Sequence, residues 1–211
     1  MIGIFGGTFD PVHFGHLRPA VEVREALQLD CLRLVPCGVP AHRAPPLASP
    51  EQRLAMLRAA VQGVRGLRVD SREIARRGPC YSVETLESLR EAHPHAALVL
   101  VIGMDAFATL DSWHRWRELP GLAHLVVAHR PGWRDEGLFR HRHLGPLLRD
   151  AWCEDVAALR ETRAGRIFFQ PVTQLDISST RIRALLAAGK DVSFLLPARV
   201  IEVIQQQRIY T

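Results

Sequence analysis

The sequence predicts an α/β fold, a doubly wound parallel sheet with helices on both faces. Three observations carry this. Apolar runs of strand length alternate with longer amphipathic segments along the chain, and such alternation lays strands in one direction with helices as crossovers. The run ALVLVIG (97–103) is apolar throughout, as a central strand covered on both faces has to be. Two polar, glycine-containing stretches, GGTFDPVHFGH (6–16) and GMDAF (103–107), each follow a strand directly. They therefore meet at the carboxyl edge of the sheet, where folds of this kind hold their ligands.

The elements follow in order. IGIF (2–5) is the first strand. GHLRPAVEVREALQL (15–29) reads as a helix with Leu17, Val21, Ala26 and Leu27 on one face. Pro19 is expected in its first turn, where a missing N–H costs little. CLRLVP (31–36) is the second strand. The stretch CGVPAHRAPPLASP (37–50) suits a long functional loop, a lid over a ligand, better than a linker. SPEQRLAMLRAAV (49–61) opens on a capping box, Ser49 to Gln52, with Pro50 at the first helical position. A strand LRVDS (67–71) precedes the helix SVETLESLREAH (82–93), which carries Val83, Leu86 and Leu89 on one side. The strands ALVLVIG, HLVVAH (124–129) and RIFFQ (166–170) come next. Last are the helices SSTRIRALLAAG, ending at Gly189, and PARVIEVIQQQ, opening at Pro197. Without internal repeats or low-complexity segments, residues 1–211 are expected to form a single domain of Rossmann-like architecture.

Composition narrows the function. The chain has 211 residues, 47% hydrophobic and 23% charged, ordinary for a globular protein and unlike a disordered one. No stretch reaches the roughly 20 apolar residues that cross a bilayer, and Asp10 and His13 interrupt any signal-peptide pattern; a cytoplasmic location with no membrane partner is the expectation. Cys31, Cys37, Cys80 and Cys153 form no CxxC pair, so they read as reduced thiols rather than a zinc ribbon or a redox motif. The net charge of +5 and pI of about 9.6 suit an anionic partner. Lys190 is the only lysine, which rules out a GxxxxGK[ST] phosphate loop, since ALLAAGK lacks the first glycine. Nucleic acid is not the expected partner. Aromatic residues are only 7% and do not alternate with basic ones as a single-strand platform requires; RPGWRDEGLFRHRHLG (130–145) is an irregular stretch, and the basic run FRHRHLGPLLR (139–149) reads as a solvated loop.

GGTFDPVHFGH admits two chemistries. His13 and His16 with Asp10 or Asp105 could ligate zinc, but no further ligand follows at a recognised spacing, and no metal ligand is assigned. A phosphate cradle uses more of the residues. Gly6 and Gly7 let the backbone approach an anion, Thr8 offers a hydroxyl and an N–H, and Pro11 stiffens the turn. Gly15 leaves room at the helix start, whose free N–H groups and positive dipole end attract phosphate. His13 and His16 stand at that end as donors.

On these residues the chain resembles the HxGH nucleotidyltransferase superfamily, and the eleven residues 6–16 closely resemble nicotinate-mononucleotide adenylyltransferases. The likeness recurs in order: VPAHR (39–43), IGMDAF (102–107), SWHRW (112–116) and ISSTRIR (177–183), which resembles that family's second signature. The resemblance implies transfer of AMP from ATP to nicotinate mononucleotide, giving deamido-NAD and pyrophosphate, with Mg²⁺ accompanying ATP. His13, His16 and Arg183 are the implied catalytic residues. Gly6, Gly7, Thr8, Phe9, Gly15, Gly103, Asp105, Ile177, Ser178, Thr180 and Arg183 would bind ATP, and Asp105 could alternatively cap the helix after strand ALVLVIG. Gly38, Arg43, Thr85, Trp113 and His114 would bind the mononucleotide, with Trp113 alternatively a core residue. Within DSWHRWREL, Asp111 or Ser112 is placed to cap a short helix, Ser112 being the better choice because a capping Asp111 would repel the pyridine carboxylate; the N–H groups of Trp113 and His114 would then be free for that carboxylate. A related transferase acting on another phosphorylated acceptor is the competing enzyme reading.

Overall fold

The computed structural model describes residues 1–41, 44–132 and 137–210. Its strands are β1 (Ile2–Gly7), β2 (Cys31–Pro36), β3 (Val39–Pro40), β4 (Leu67–Val69), β5 (Pro79–Cys80), β6 (Leu98–Gly103), β7 (His124–His129) and β8 (Ile167–Pro171). Six of them form one parallel sheet in the order β4-β2-β1-β6-β7-β8, and β3 pairs with β5 apart from it. Along the chain the six lie third, second, first, fourth, fifth, sixth. That is the doubly wound order, and its switch point falls between β1 and β6. The Rossmann-like sheet expected from the sequence is therefore the one observed.

Alternation along each strand sorts the side chains into two cores. Val99, Val101, Val126 and Ala128 join Leu17, Val23, Met56, Leu57, Val200 and Ile204 on one face. Leu98, Leu100, Ile102, Leu125 and Val127 join Val83, Leu86, Leu89, Phe107 and Leu148 on the other. Both faces of β6 and β7 are thus buried, which is why these strands read as unbroken apolar runs.

Element ends differ from expectation for local reasons. The first helix spans Phe14–Ala26, with His13 extended at its cap, so Pro19 lies inside the helix rather than in its first turn. It ends where Gln28 turns left-handed at φ 49°. β4 stops at Val69 because Asp70 starts a turn, its carboxylate accepting from the Arg72 N–H at 3.1 Å. Ser49 caps the helix Pro50–Val61 as expected: the Gln52 N–H donates to its hydroxyl at 3.2 Å, and Gln52 accepts from the Ser49 N–H at 2.9 Å. Pro197 caps the helix Ala198–Gln206 rather than beginning it. Among the described residues, no helix is long and apolar enough to cross a membrane.

Candidate active site

The loop from β1 to the first helix sits at the switch point. Gly6 is exposed with open space where a side chain would stand, as a backbone that meets a ligand requires. Gly7 and Gly15 are glycine for a different reason. A Cβ on Gly7 would stand 2.9 Å from the Phe9 ring, and one on Gly15 would stand 2.9 Å from His13 Nδ1 and 3.2 Å from the Ile177 carbonyl. Protein atoms fill the room expected for a ligand at these two positions. Phe9 is buried at a left-handed φ of 51° and packs edge-on against Phe5 and His16; only its backbone is available to a ligand.

His13 and His16 lie against one another with their ring planes tilted by 31° and their centroids 3.8 Å apart. The backbone N–H of His13 donates to His16 Nδ1 at 3.3 Å, so the neutral His16 ring carries its proton on Nε2. Burial pushes His16 down to about 3, helped by the neighbouring His13, and burial alone pushes His13 down to about 4. Both are therefore neutral donors at pH 7. His13 Nδ1 is buried and has no hydrogen-bond partner among the described residues.

These shifts have a consequence for stability. Unfolded, both imidazoles take protons from 6.5 downward; folded, they stay neutral to about 4 and about 3. Below 6.5 the unfolded chain binds more protons, so their stability contribution is complete above that pH and is lost as pH falls through the folded values. The melting temperature should therefore decline from about pH 7.5 to about pH 5. His124, which burial also lowers, acts in the same sense. A double His13→Gln/His16→Gln variant should flatten the slope, and an unchanged slope would show that these rings do not cause it.

A frame of long-range bonds holds the loop, and sequence reasoning missed most of it. Arg53 is completely buried. It donates to the carbonyls of Thr8 (2.8 Å), Cys37 (2.6 Å), Gly38 (3.0 Å) and Ala48 (3.3 Å), binding the β1 loop to both ends of the 37–48 loop. The Asp10 carboxylate accepts from the N–H groups of Leu47 and Ala48 and from the Tyr210 hydroxyl at 2.6 Å. Burial and that bond to Asp10 raise the Tyr210 phenol well above its ordinary value.

The second signature docks on the same loop. Ser178 caps the helix Ser179–Ala187, its hydroxyl accepting from the Arg181 N–H at 3.2 Å. The Ser179 hydroxyl donates to the Pro11 carbonyl at 2.9 Å. Arg183 Nη1 donates to the Asp10 carbonyl at 2.7 Å, across 173 positions of sequence, and Nη2 reaches Thr180 Oγ1 at 3.3 Å. Ser178 and Thr180 remain exposed. Two helix N-termini thus converge on one glycine-rich loop. Gly103 and Asp105 are exposed at the end of β6, the strand beside β1. Gly103, not Asp105, holds the cap position of the helix Met104–Ala108.

Gly38 and Thr85 meet at Glu73. The Thr85 hydroxyl donates to the Glu73 carboxylate at 2.6 Å, and a Cβ on Gly38 would collide with the Glu73 carbonyl oxygen. Arg43 lies outside the described residues. Trp113 is half-buried against the second core, and the His114 ring lies tilted against Tyr81, centroids 4.4 Å apart. Ser112 does not cap a helix. It ends the 3₁₀ turn Leu110–Ser112, and the Trp113 N–H donates to the Leu110 carbonyl at 3.0 Å. Asp111 is paired with His143 at 2.9 Å. Of the two backbone donors expected for a pyridine carboxylate, that of Trp113 is already spent.

Comparison with known proteins agrees with this architecture. A family model described as cytidylyltransferase-like matches residues 4–185. The probable nicotinate-nucleotide adenylyltransferase of Aeromonas salmonicida (strain A449) is 46% identical over 209 residues, 99% of this chain and 96% of its own. A protein of the same description from Acidithiobacillus ferrooxidans is 48% identical over 207 residues, covering 98% and 94%. The structure of Plasmodium falciparum nicotinic acid mononucleotide adenylyltransferase complexed with NaAD superposes with a TM-score of 0.71 at 16% identity, covering 99% of this chain and 96% of the other; at that identity the likeness concerns the fold.

Proposed function

We infer that this chain, which belongs to the cytidylyltransferase-like family and within it to the nicotinate-nucleotide adenylyltransferases, transfers AMP from ATP to nicotinate mononucleotide in NAD biosynthesis. A phosphate oxygen of the mononucleotide attacks the α-phosphorus of ATP. The new O–P bond forms as the bond to the β-phosphate oxygen breaks, and pyrophosphate leaves. The protein supplies no nucleophile, so its work is to hold two anions in line and stabilise the charge that grows on the transferred and leaving phosphates. The observation that carries this reading is the convergence of the two signatures, Arg183 on the Asp10 carbonyl at 2.7 Å and Ser179 on the Pro11 carbonyl at 2.9 Å. It supports a shared triphosphate site at two helix N-termini.

Within it, His16 donates from Nε2 to the α-phosphate, and His13 stands beside it at the same helix start, next to a neighbouring phosphate. Gly6, Gly7, Thr8, Phe9, Gly15 and Ile177 form the backbone floor. Ser178, Thr180 and Arg183 take the β- and γ-phosphates, and Gly103 with Asp105 the nucleoside. Gly38, Arg43, Thr85, Trp113 and His114 receive the mononucleotide. All belong to one nucleotidyltransferase domain. The donor set does not form a protein cage for Mg²⁺, because the buried Asp10 carboxylate is committed to Leu47, Ala48 and Tyr210. The ion is expected to enter on ATP, held by phosphate and water, and to neutralise phosphate charge there.

The test is to incubate the protein with Mg-ATP and a panel of phosphorylated acceptors and identify products by mass spectrometry. Deamido-NAD is the expected product. The acid should exceed the amide by about tenfold in kcat/KM, as one charge-assisted bond, that of His114, would give. Equal values, or a preference for the amide, would show that this segment does not read the carboxylate.

A further inference from the structure

Cys37, Glu73 and Cys80 lie beside the phosphate machinery but take no part in it, and their ligand atoms all stand within 4.8 Å of one another. Three separate stretches bring them together. Cys37 follows β2 and its N–H donates to the Gly7 carbonyl at 2.9 Å. Cys80 ends β5, held opposite Pro40 by the β3–β5 pair. Glu73 sits in the short helix Arg72–Ala75, and the missing side chain at Gly38 lets the chain after Cys37 pass against its carbonyl. Glu73 is buried, and Thr85 holds one of its oxygens, Oε1, at 2.6 Å.

We propose that these three side chains form a binding site for a thiophilic divalent cation, Zn²⁺ being the ion whose chemistry fits. Two sulfurs and one carboxylate oxygen exclude hard cations such as Mg²⁺ and Ca²⁺, which take oxygen ligands. Bond lengths of about 2.3 Å to sulfur and about 2.0–2.2 Å to oxygen require only a modest inward movement from the present spacing. Charge balances as well. Two thiolates, one carboxylate and Zn²⁺ sum to one negative charge, and the guanidinium of Arg53, on the carbonyls of Cys37 and Gly38 at 2.6 and 3.0 Å, supplies one positive. Each coordinating thiol gives its proton to solvent on binding, and both cysteines keep partial exposure. Thr85 is the outer partner that orients the ligating carboxylate, as ligands of this kind require.

The experiment uses the full chain, reduced and stripped with a chelator, titrated with Co²⁺. One equivalent should develop a thiolate-to-cobalt charge-transfer absorption, which Zn²⁺ then bleaches. Cys37→Ser and Cys80→Ser should each lose it. A second measurement needs no variant: Zn²⁺ should slow alkylation of Cys37 and Cys80 but not of Cys31 and Cys153, mapped by mass spectrometry. Absence of the absorption in the unmodified chain, its survival in both serine variants, or alkylation rates indifferent to Zn²⁺ would each overturn the proposal.

Discussion

Replacing His16 with alanine should lower kcat by about 10²–10³ while leaving ATP affinity nearly unchanged, the loss expected for one preorganised donor to a developing charge. The geometry explains why the effect is concentrated on the rate. The His13 N–H on Nδ1 at 3.3 Å fixes the ring and assigns its proton to Nε2, and the Phe9 ring closes on it edge-on at 5.2 Å. A donor so held would pay no reorganisation when charge moves onto the α-phosphate, and in the proposed site ground-state ATP would keep the two helix ends and Arg183 without it. Because burial holds His16 near 3, the free enzyme should show no loss of kcat/KM through its protonation between about pH 6 and about pH 8. Steady-state kinetics with ATP binding measured separately would decide. A variant with near-normal turnover, or one whose deficit lay wholly in ATP affinity, would remove His16 from the chemistry.

The sheet was legible because β6 and β7 are the unbroken apolar runs that doubly covered strands need, and β1, β2 and β8 are short apolar-rich segments between helical patterns. The two signatures were visible because each is a compact local run, residues 6–16 and 177–183, that resembles a family pattern as it stands. What escaped was set by distance along the chain. Asp10 meets Tyr210 across 200 positions, and no local pattern announces such a bond. Arg53 left a faint signal, a cation on the same helical face as Met56, Leu57 and Ala60, all buried. The crowding around Gly7 and Gly15 escaped for a related reason. A glycine that admits a ligand and one that admits a neighbouring ring look alike in sequence, and only the Phe9 and His13 rings distinguish them. The turn at Leu110–Ser112 escaped because serine caps α-helices and closes 3₁₀ turns alike.

Arg53 carries the second large expectation, on stability first and on rate as its consequence. Arg53→Met should destabilise the protein by about 3–5 kcal/mol, since it leaves carbonyls built to receive a charged donor without one. Burial lowers the arginine's pKa from its ordinary value, yet a guanidinium remains charged at neutral pH. Its planar fork reaches Thr8, Cys37, Gly38 and Ala48 together; lysine has three donors on one nitrogen and cannot span the same spread. Arg53→Lys should therefore recover only part of the loss. Urea unfolding of the three proteins gives the free energies, with equal m values showing that the folded states match. Activity of the folded fraction adds the second reading. Thr8 and Gly38 belong to the floors proposed for the two substrates, so loosening their shared anchor should raise KM for both, whereas His16→Ala should spare ATP affinity. If Arg53→Met stays within about 1 kcal/mol of the parent, water or backbone movement satisfies those carbonyls, and the buried arginine is not what holds the two loops together.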